Sequence, residues 1–222
     1  DYLVVLRNWD NGATPNVGLI KFFSGVNSLT RNSGFEVAGT TAKKSLGWDL
    51  VNPTGGDKRT CNTVSNPLGA FAGECYIQFS ASASAVPAKA RSIKQIITAD
   101  GWGNSGDVLK LSAMVSGANL KGKAKIDLTV FYTDGTNTKS SIGIPAGTYA
   151  YQKVALGAVV SKPVERVQVV ISAGKTTGKL KVDSVILHVS VNEVLVRQAD
   201  SATTRDGALT LPEPPLPDGF RK

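Results

Sequence analysis

Residues 164 to 191, VERVQVVISAGKTTGKLKVDSVILHVSV, constrain this chain more than any other stretch. Apolar side chains recur at alternate positions, at Val167, Val169 and Ile171 and again at Val185, Leu187, Val189 and Val191. A period of two sends successive side chains to opposite faces of an extended strand, so each half has a core face and a wet face. Gly174 and Gly178 bound a turn between the halves. The stretch predicts two long strands joined as a β-hairpin at the centre of a sheet.

The same period governs the chain upstream. Ala124, Ile126, Leu128, Val130 and Tyr132 alternate with Lys123, Lys125, Asp127 and Thr129, and Asp134-Gly135 then marks a tight hairpin into Lys139 to Ile144. No stretch sustains a 3.6-residue period. A chain of 222 residues can bury a full core in one all-β domain, and 23 glycines with only 19% charged residues suit many short strands and turns. The expected architecture is all-β: an antiparallel two-sheet jelly-roll sandwich with extended N- and C-terminal segments.

A net charge of +8 raises the possibility of nucleic acid as a partner. Its lysines do not cluster, however. Lys121, Lys123, Lys125, Lys175, Lys179 and Lys181 alternate with apolar residues or sit at turns, which describes solvated strand faces that deter edge-to-edge pairing. Nucleic acid is therefore not expected as a partner, whereas an acidic polysaccharide or anionic envelope stays open. No apolar run is long enough to span a membrane, and the expectation is that any export signal has been removed. Cys61 and Cys75 are the only cysteines and lie 14 positions apart. An even count in a sulfur-poor β chain reads as a disulfide formed in an oxidising compartment, with two buried thiols as the alternative. The CxxC and His spacings of a zinc site are missing.

Residues 1–29 read as an N-terminal strand or hairpin extension. Leu3, Val4, Val5 and Leu6 make a strand that is apolar on both faces, and Val17 to Phe23 read as a second strand; the piece is either the first hairpin of the sandwich or an extension that pairs elsewhere. Residues 192–222 read as a short strand followed by a Pro-rich tail, with Leu211 to Pro217 favouring polyproline II.

Between these segments, residues 30–191 carry motifs in a recognisable order. They run Asn32-Ser33-Gly34-Phe35-Glu36, Gly47-Trp48-Asp49, Gly73 to Phe79, Ile93 to Ile97, Gly106 to Ala113, Tyr149-Ala150-Tyr151-Gln152 and Val182-Asp183-Ser184-Val185. This order resembles the galactose-binding-like jelly roll of carbohydrate-binding modules in secreted bacterial surface proteins. The resemblance implies that Glu36 and Asp183, with backbone carbonyls, hold a structural Ca²⁺ between the first and last strands. Oxygen ligands suit that hard cation. Ser184 stands where the family often has a second acid, which leaves a hydrogen-bonded acid pair or a lysine salt bridge as alternatives.

Catalysis finds no anchor. The single His, His188, lies mid-strand among Ile186, Leu187 and Val189 and reads as a solvent-facing strand residue, not as part of a triad. No phosphate-loop, dinucleotide or HExxH pattern occurs, and the chain reads as non-catalytic. Sugar binding would need exposed aromatic rings. Trp102, in a Gly-rich turn, leads that search, with Tyr132, Tyr149 and Tyr151 behind it; Trp102 reads equally as a cap on the sandwich or a contact to a neighbouring subunit, and Trp48 as core.

Two functions follow. The first is a structural subunit of a secreted or cell-surface filament, in which the Leu3 to Leu6 strand or the tail packs on the next copy of the chain. The alternative is a carbohydrate-binding module for a cell-wall or extracellular polysaccharide, favoured by the motif order. Fold analogy alone does not choose between them.

Overall fold

Alternating burial builds two facing layers. The computed structural model describes residues 28–63, 69–100 and 102–190, together with the backbone pairing of two short strands near the N-terminus. In chain order the strands are β1 (Val5–Leu6), β2 (Ile20–Lys21), β3 (Asp49–Val51), β4 (Lys58–Cys61), β5 (Cys75–Ala81) and β6 (Arg91–Thr98). They continue with β7 (Val108–Lys121), β8 (Ala124–Tyr132), β9 (Asn137–Ile144), β10 (Gly147–Val159), β11 (Val164–Gly174) and β12 (Thr177–Ser190). One five-stranded sheet has the order β10-β7-β12-β5-β4, the other β3-β6-β11-β8-β9, and β1 pairs with β2 in a separate two-stranded sheet. Every pairing within the two large sheets is antiparallel. The fold is the expected all-β jelly-roll sandwich, with no helix among the described residues.

The core lies between the sheets. Leu109, Leu111, Val115, Leu180, Val182 and Leu187 from the first layer meet Ile126, Leu128, Val167, Val169 and Ile171 from the second, all at most 1% exposed. Each such side chain contributes about 1.5–3 kcal/mol of transfer free energy, an upper estimate against an extended chain. Phe35 and Trp48 extend the core at one end, with ring centroids 5.3 Å apart. The Trp48 indole N–H donates to the carbonyl of Arg31 at 3.0 Å, so Trp48 is core as expected.

One expectation is corrected. β11 and β12 do not form a hairpin: β11 is the middle strand of one sheet and β12 the middle strand of the other. The turn between them is an arch across the sandwich. Gly174 makes it possible, since its φ is +58° and a Cβ there would lie 2.6 Å from the Lys123 carbonyl oxygen. The expected hairpin after Asp134-Gly135 does form, pairing β8 with β9 from Phe131–Asn137 to Ala124–Ile144.

A buried ion pair closes the arch end. Arg91 is 1% exposed and its Nη1 lies 2.7 Å from Asp57 Oδ1, while its Nη2 donates to the Thr176 carbonyl at 2.7 Å. Asp57 also accepts from the N–H groups of Thr54 and Ser80. Four chain segments, at Thr54–Asp57, Ser80, Arg91 and Thr176, thus meet on one charged pair.

Cys61 and Cys75 are bridged and occupy facing positions on β4 and β5. Reduction is expected to add two hydrogens to the intact mass. With a sequence separation of 14, it should also remove about 3 kcal/mol of stability in the chain-entropy model. An unchanged mass after full reduction and alkylation would reject the bridge.

The chain divides into two compact units, one of 1–5 and 21–192 and one of 6–20 and 193–222. The sandwich belongs to the first. Leu3, Val4 and the chain from Val191 onward lie outside the described residues, and of Val5 and Leu6 only the strand backbone is described. Among the described residues no helix is long and apolar enough to cross a membrane.

Candidate binding face

A break in the alternation of β12 sets up the site. Leu180 and Val182 point into the core, and so do Val185 and Leu187, so the inward spacing jumps from two residues to three at Asp183-Ser184. The pairing with β7 shifts register between Asp183 and Ile186, and Ser184 has a φ of +48°. This is a β-bulge, a device that re-aims a side chain. Here it turns Asp183 under the 69–75 segment with 0% exposure.

Backbone N–H groups surround that carboxylate. Phe71 and Ala72 donate to Asp183 Oδ2 at 2.8 and 3.1 Å, and Ser184 donates to Oδ1 at 2.6 Å. The next two donors of the segment serve Glu36: Glu74 and Cys75 donate to its Oε1 at 3.0 and 3.1 Å. Gly73, between the two sets, has a φ of +64°, and a Cβ there would press on Glu36 Oε1. The left-handed backbone favours glycine here, and any larger residue would push the Glu36 carboxylate off its two N–H donors. Arg59 holds the other side of Glu36 by donating to the carbonyls of Phe35 and Glu36 at 2.6 Å each.

Glu36 and Asp183 do come together. A Cβ built on Gly34 would lie 3.6 Å from Glu36 Oε1 and 3.8 Å from Asp183 Oδ1. Burial pushes the Asp183 carboxyl up from its ordinary value and Glu36 adds to the rise, against the opposing N–H bonds of Ala72, Phe71 and Ser184. For calcium, the donor set fits in part. Two carboxylates meet, but the described residues contain no cluster of three or more His, Cys, Asp or Glu side chains, and five N–H groups already serve the pair. An ion there would draw most of its six to eight oxygen ligands from carbonyls and water.

The 69–75 segment anchored in this way carries aromatic surface onto the outward face of sheet β10-β7-β12-β5-β4. Phe71 is 50% exposed, and its ring lies 5.7 Å from that of Tyr151 at 58°. The Tyr151 hydroxyl donates to the Gly69 carbonyl at 3.0 Å, and Lys181 Nζ donates to the same oxygen at 3.1 Å. Lys181 also lies over the ring of Tyr76 at 4.8 Å. Burial, then the neighbouring Asp183 and Tyr76, push the Tyr151 phenol pKa upward, so it stays protonated and able to donate. Beside these rings runs a polar row set by strand register, Lys58, Gln78, Lys181 and Ser116.

The aromatic residues singled out in the sequence separate here. Tyr151 joins the outward face. Trp102 is half-buried and packs on the core cluster, which is the arrangement of a cap. Tyr132, expected as a possible ligand contact, is 1% exposed with its hydroxyl 2.8 Å from Thr138 Oγ1, which leaves no ring face for a ligand. Its place follows from the alternation of β8. Tyr149 packs against the core and donates to the Pro145 carbonyl at 2.8 Å. Sequence reasoning missed Phe71, whose loop offers no periodic signal; Tyr76, 1% exposed, lies beneath the face and offers no more ring surface than Tyr132.

No protein-family model matches the chain, and no curated protein matches it in sequence. Among solved structures it is similar to an enzymatically active domain of tailspike protein 4 from bacteriophage CBA120, with 18% identity over 73% of this chain and a TM-score of 0.53. This chain spans about a fifth of that one, 21%. It is also similar to the apo form of a cyclase from Fischerella sp., with 12% identity, a TM-score of 0.54, and coverage of 74% of this chain and 96% of the other. A family 61 carbohydrate-binding module in complex with β-1,4-galactotriose aligns at 16% identity and a TM-score of 0.49, over 73% and 99% of the two chains. At these identities the shared property is the jelly-roll fold.

Proposed function

We propose that the chain is a non-catalytic, extracellular carbohydrate-binding domain that takes a polysaccharide across the outward face of sheet β10-β7-β12-β5-β4. The observation that carries this reading is the Phe71–Tyr151 ring pair, with Phe71 half open to solvent and Tyr151 partly buried, beside a row of amide, hydroxyl and ammonium groups. Flat rings stack on the apolar face of a pyranose, while Gln78, Ser116 and Lys181 supply hydrogen bonds to its hydroxyls. The disulfide fits an oxidising compartment. A filament subunit joined through its termini draws on residues outside the described ones, whereas the Phe71–Tyr151 pair lies on described ones. Carbohydrate binding therefore stands first.

Isothermal titration against a panel of plant, algal and bacterial wall polysaccharides tests the reading. Phe71→Ala is expected to weaken binding of the responding glycan at least tenfold, about 1.4 kcal/mol, with an unchanged melting temperature because the side chain is half exposed. Tyr151→Phe should weaken it less than Tyr151→Ala. If no polysaccharide binds, or if Phe71→Ala binds as tightly as the unmodified chain, the proposal fails.

A further inference from the structure

The outward face described above has a second region, at the opposite end of β12. There, strand register places His188 beside Lys110 and Lys110 beside Gly157, and one step on places Ser112 beside Ala155 and Met114 beside Lys153. The small side chains at Ser112, Ala155 and Gly157 leave a groove of about 310 Å³, whose walls include Lys110, Lys153 and His188. That volume is at the lower end of the range for small-ligand sites.

The charge of this face is one-sided. Its outward strand positions carry Lys58, Lys110, Lys153, Lys179 and Lys181, and its one carboxylate there, Asp183, is buried and held by backbone N–H groups. The opposite sheet differs: Asp127 on its outward face lies 3.0 Å from Lys125 Nζ and 3.1 Å from Lys139 Nζ, so these two lysines share a carboxylate partner. Within the groove, His188 Nδ1 is buried with no hydrogen-bond partner. A buried polar atom without a partner is costly unless a ligand or water satisfies it. Burial, then Lys110 and Lys153, lower the His188 pKa, so near neutral pH the ring is uncharged and offers one donor and one acceptor nitrogen.

Together these features point to an oxyanion subsite: we infer that the groove lined by Lys110, Lys153 and His188 takes a carboxylate or sulfate group carried on a saccharide. The inference rests on the carbohydrate-binding reading and specifies its ligand class as an acidic polysaccharide. Two ammonium groups supply charge, His188 and Ser112 supply directional hydrogen bonds, and Ala155 and Gly157 leave room for the ring that bears the anion. The aromatic pair at the other end of the face then grips a neighbouring part of the same chain.

The test is titration calorimetry of the full chain with four probes: oligogalacturonate, its methyl ester, a neutral oligogalactan and the same galactan sulfated. At least one charged probe is expected to bind tenfold or more tighter than its neutral counterpart, and the arm that does so identifies the group as carboxylate or sulfate. In Lys110→Gln/Lys153→Gln that preference should fall to less than threefold, while the neutral probes keep their affinity. Lys43→Gln/Lys44→Gln removes the same charge from an exposed loop and should leave the preference intact. Equal binding of charged and neutral probes overturns the subsite but leaves the carbohydrate reading standing. Loss of preference in both double variants also overturns it, because net charge would then explain the effect. If no probe binds, the subsite is overturned, and the wall-polysaccharide panel decides the broader reading.

Discussion

Replacing Arg91 by alanine is expected to lower the unfolding free energy by about 3–5 kcal/mol, because it strands a buried carboxylate. The side chains of the pair are 1% and 0% exposed and lie 2.7 Å apart, so Asp57 has no water to turn to. The same change empties the donors that hold the Thr176 carbonyl and so loosens the arch between β11 and β12. For a domain of this size the loss corresponds to roughly 6–20 °C in melting temperature. Urea unfolding should show a lower midpoint with an unchanged slope. Asp57→Ala/Arg91→Ala should cost less than the two single changes together, since neither charge is then left alone. A loss below about 1 kcal/mol for the single Arg91 change would show that the pair contributes little.

Asp183→Ala should cost roughly 3 kcal/mol or more by removing the acceptor for three backbone N–H groups. It should also weaken polysaccharide binding, since Phe71 is positioned through that carboxylate. The pH dependence carries further information. Asp183 has its folded-state pKa raised by burial and by Glu36. A raised pKa contributes stability fully below the unfolded value of about 3.9 and loses it as pH rises through the folded value. The stability of the unmodified chain relative to Asp183→Asn is therefore expected to shrink as pH rises from acid toward neutral, measured in the presence of a chelator. A calcium ion held between Glu36 and Asp183 would reverse that sign, because a bound cation favours the ionised carboxylate. Repeating the series in millimolar calcium thus tests the ion directly. A slope unchanged by calcium, with no rise in melting temperature, would remove calcium from the site.

How much of this was legible in the sequence depends on whether a feature is local. Strand positions and core residues follow from alternation, so Val167, Val169, Leu187 and the whole of β8 could be assigned directly. The bulge at Asp183-Ser184 is written in the three-residue step from Val182 to Val185, whereas the meeting of Glu36 with Asp183 was implied only by the resemblance to carbohydrate-binding modules. The arch was not, because Gly-Lys-Thr-Thr-Gly suits a hairpin as well as a crossing between layers. What decides is the distant Arg91–Asp57 pair and the Lys123 carbonyl against Gly174, neither of which leaves a mark near the turn. Phe71 was hidden for a similar reason: its exposure depends on N–H bonds to an acid 112 positions away. The lysine groove was obscured because Lys110, Lys153 and His188 each look like ordinary wet-face residues until register aligns their strands.

The crossing of β11 to β12 between layers also shapes how the molecule can form. The middle strands of both sheets come from one continuous segment, so the layer built around β12 stays incomplete until the chain has passed through β11 and the arch. Unfolding should accordingly be all-or-none across the sandwich, without a stable half. Most pairings around those two strands join residues far apart in the chain, which places folding in the slow range of non-local β topologies. Until the arch closes, β5 and β7 lack the strand that lies between them, and those open edges are the ones most exposed to aggregation.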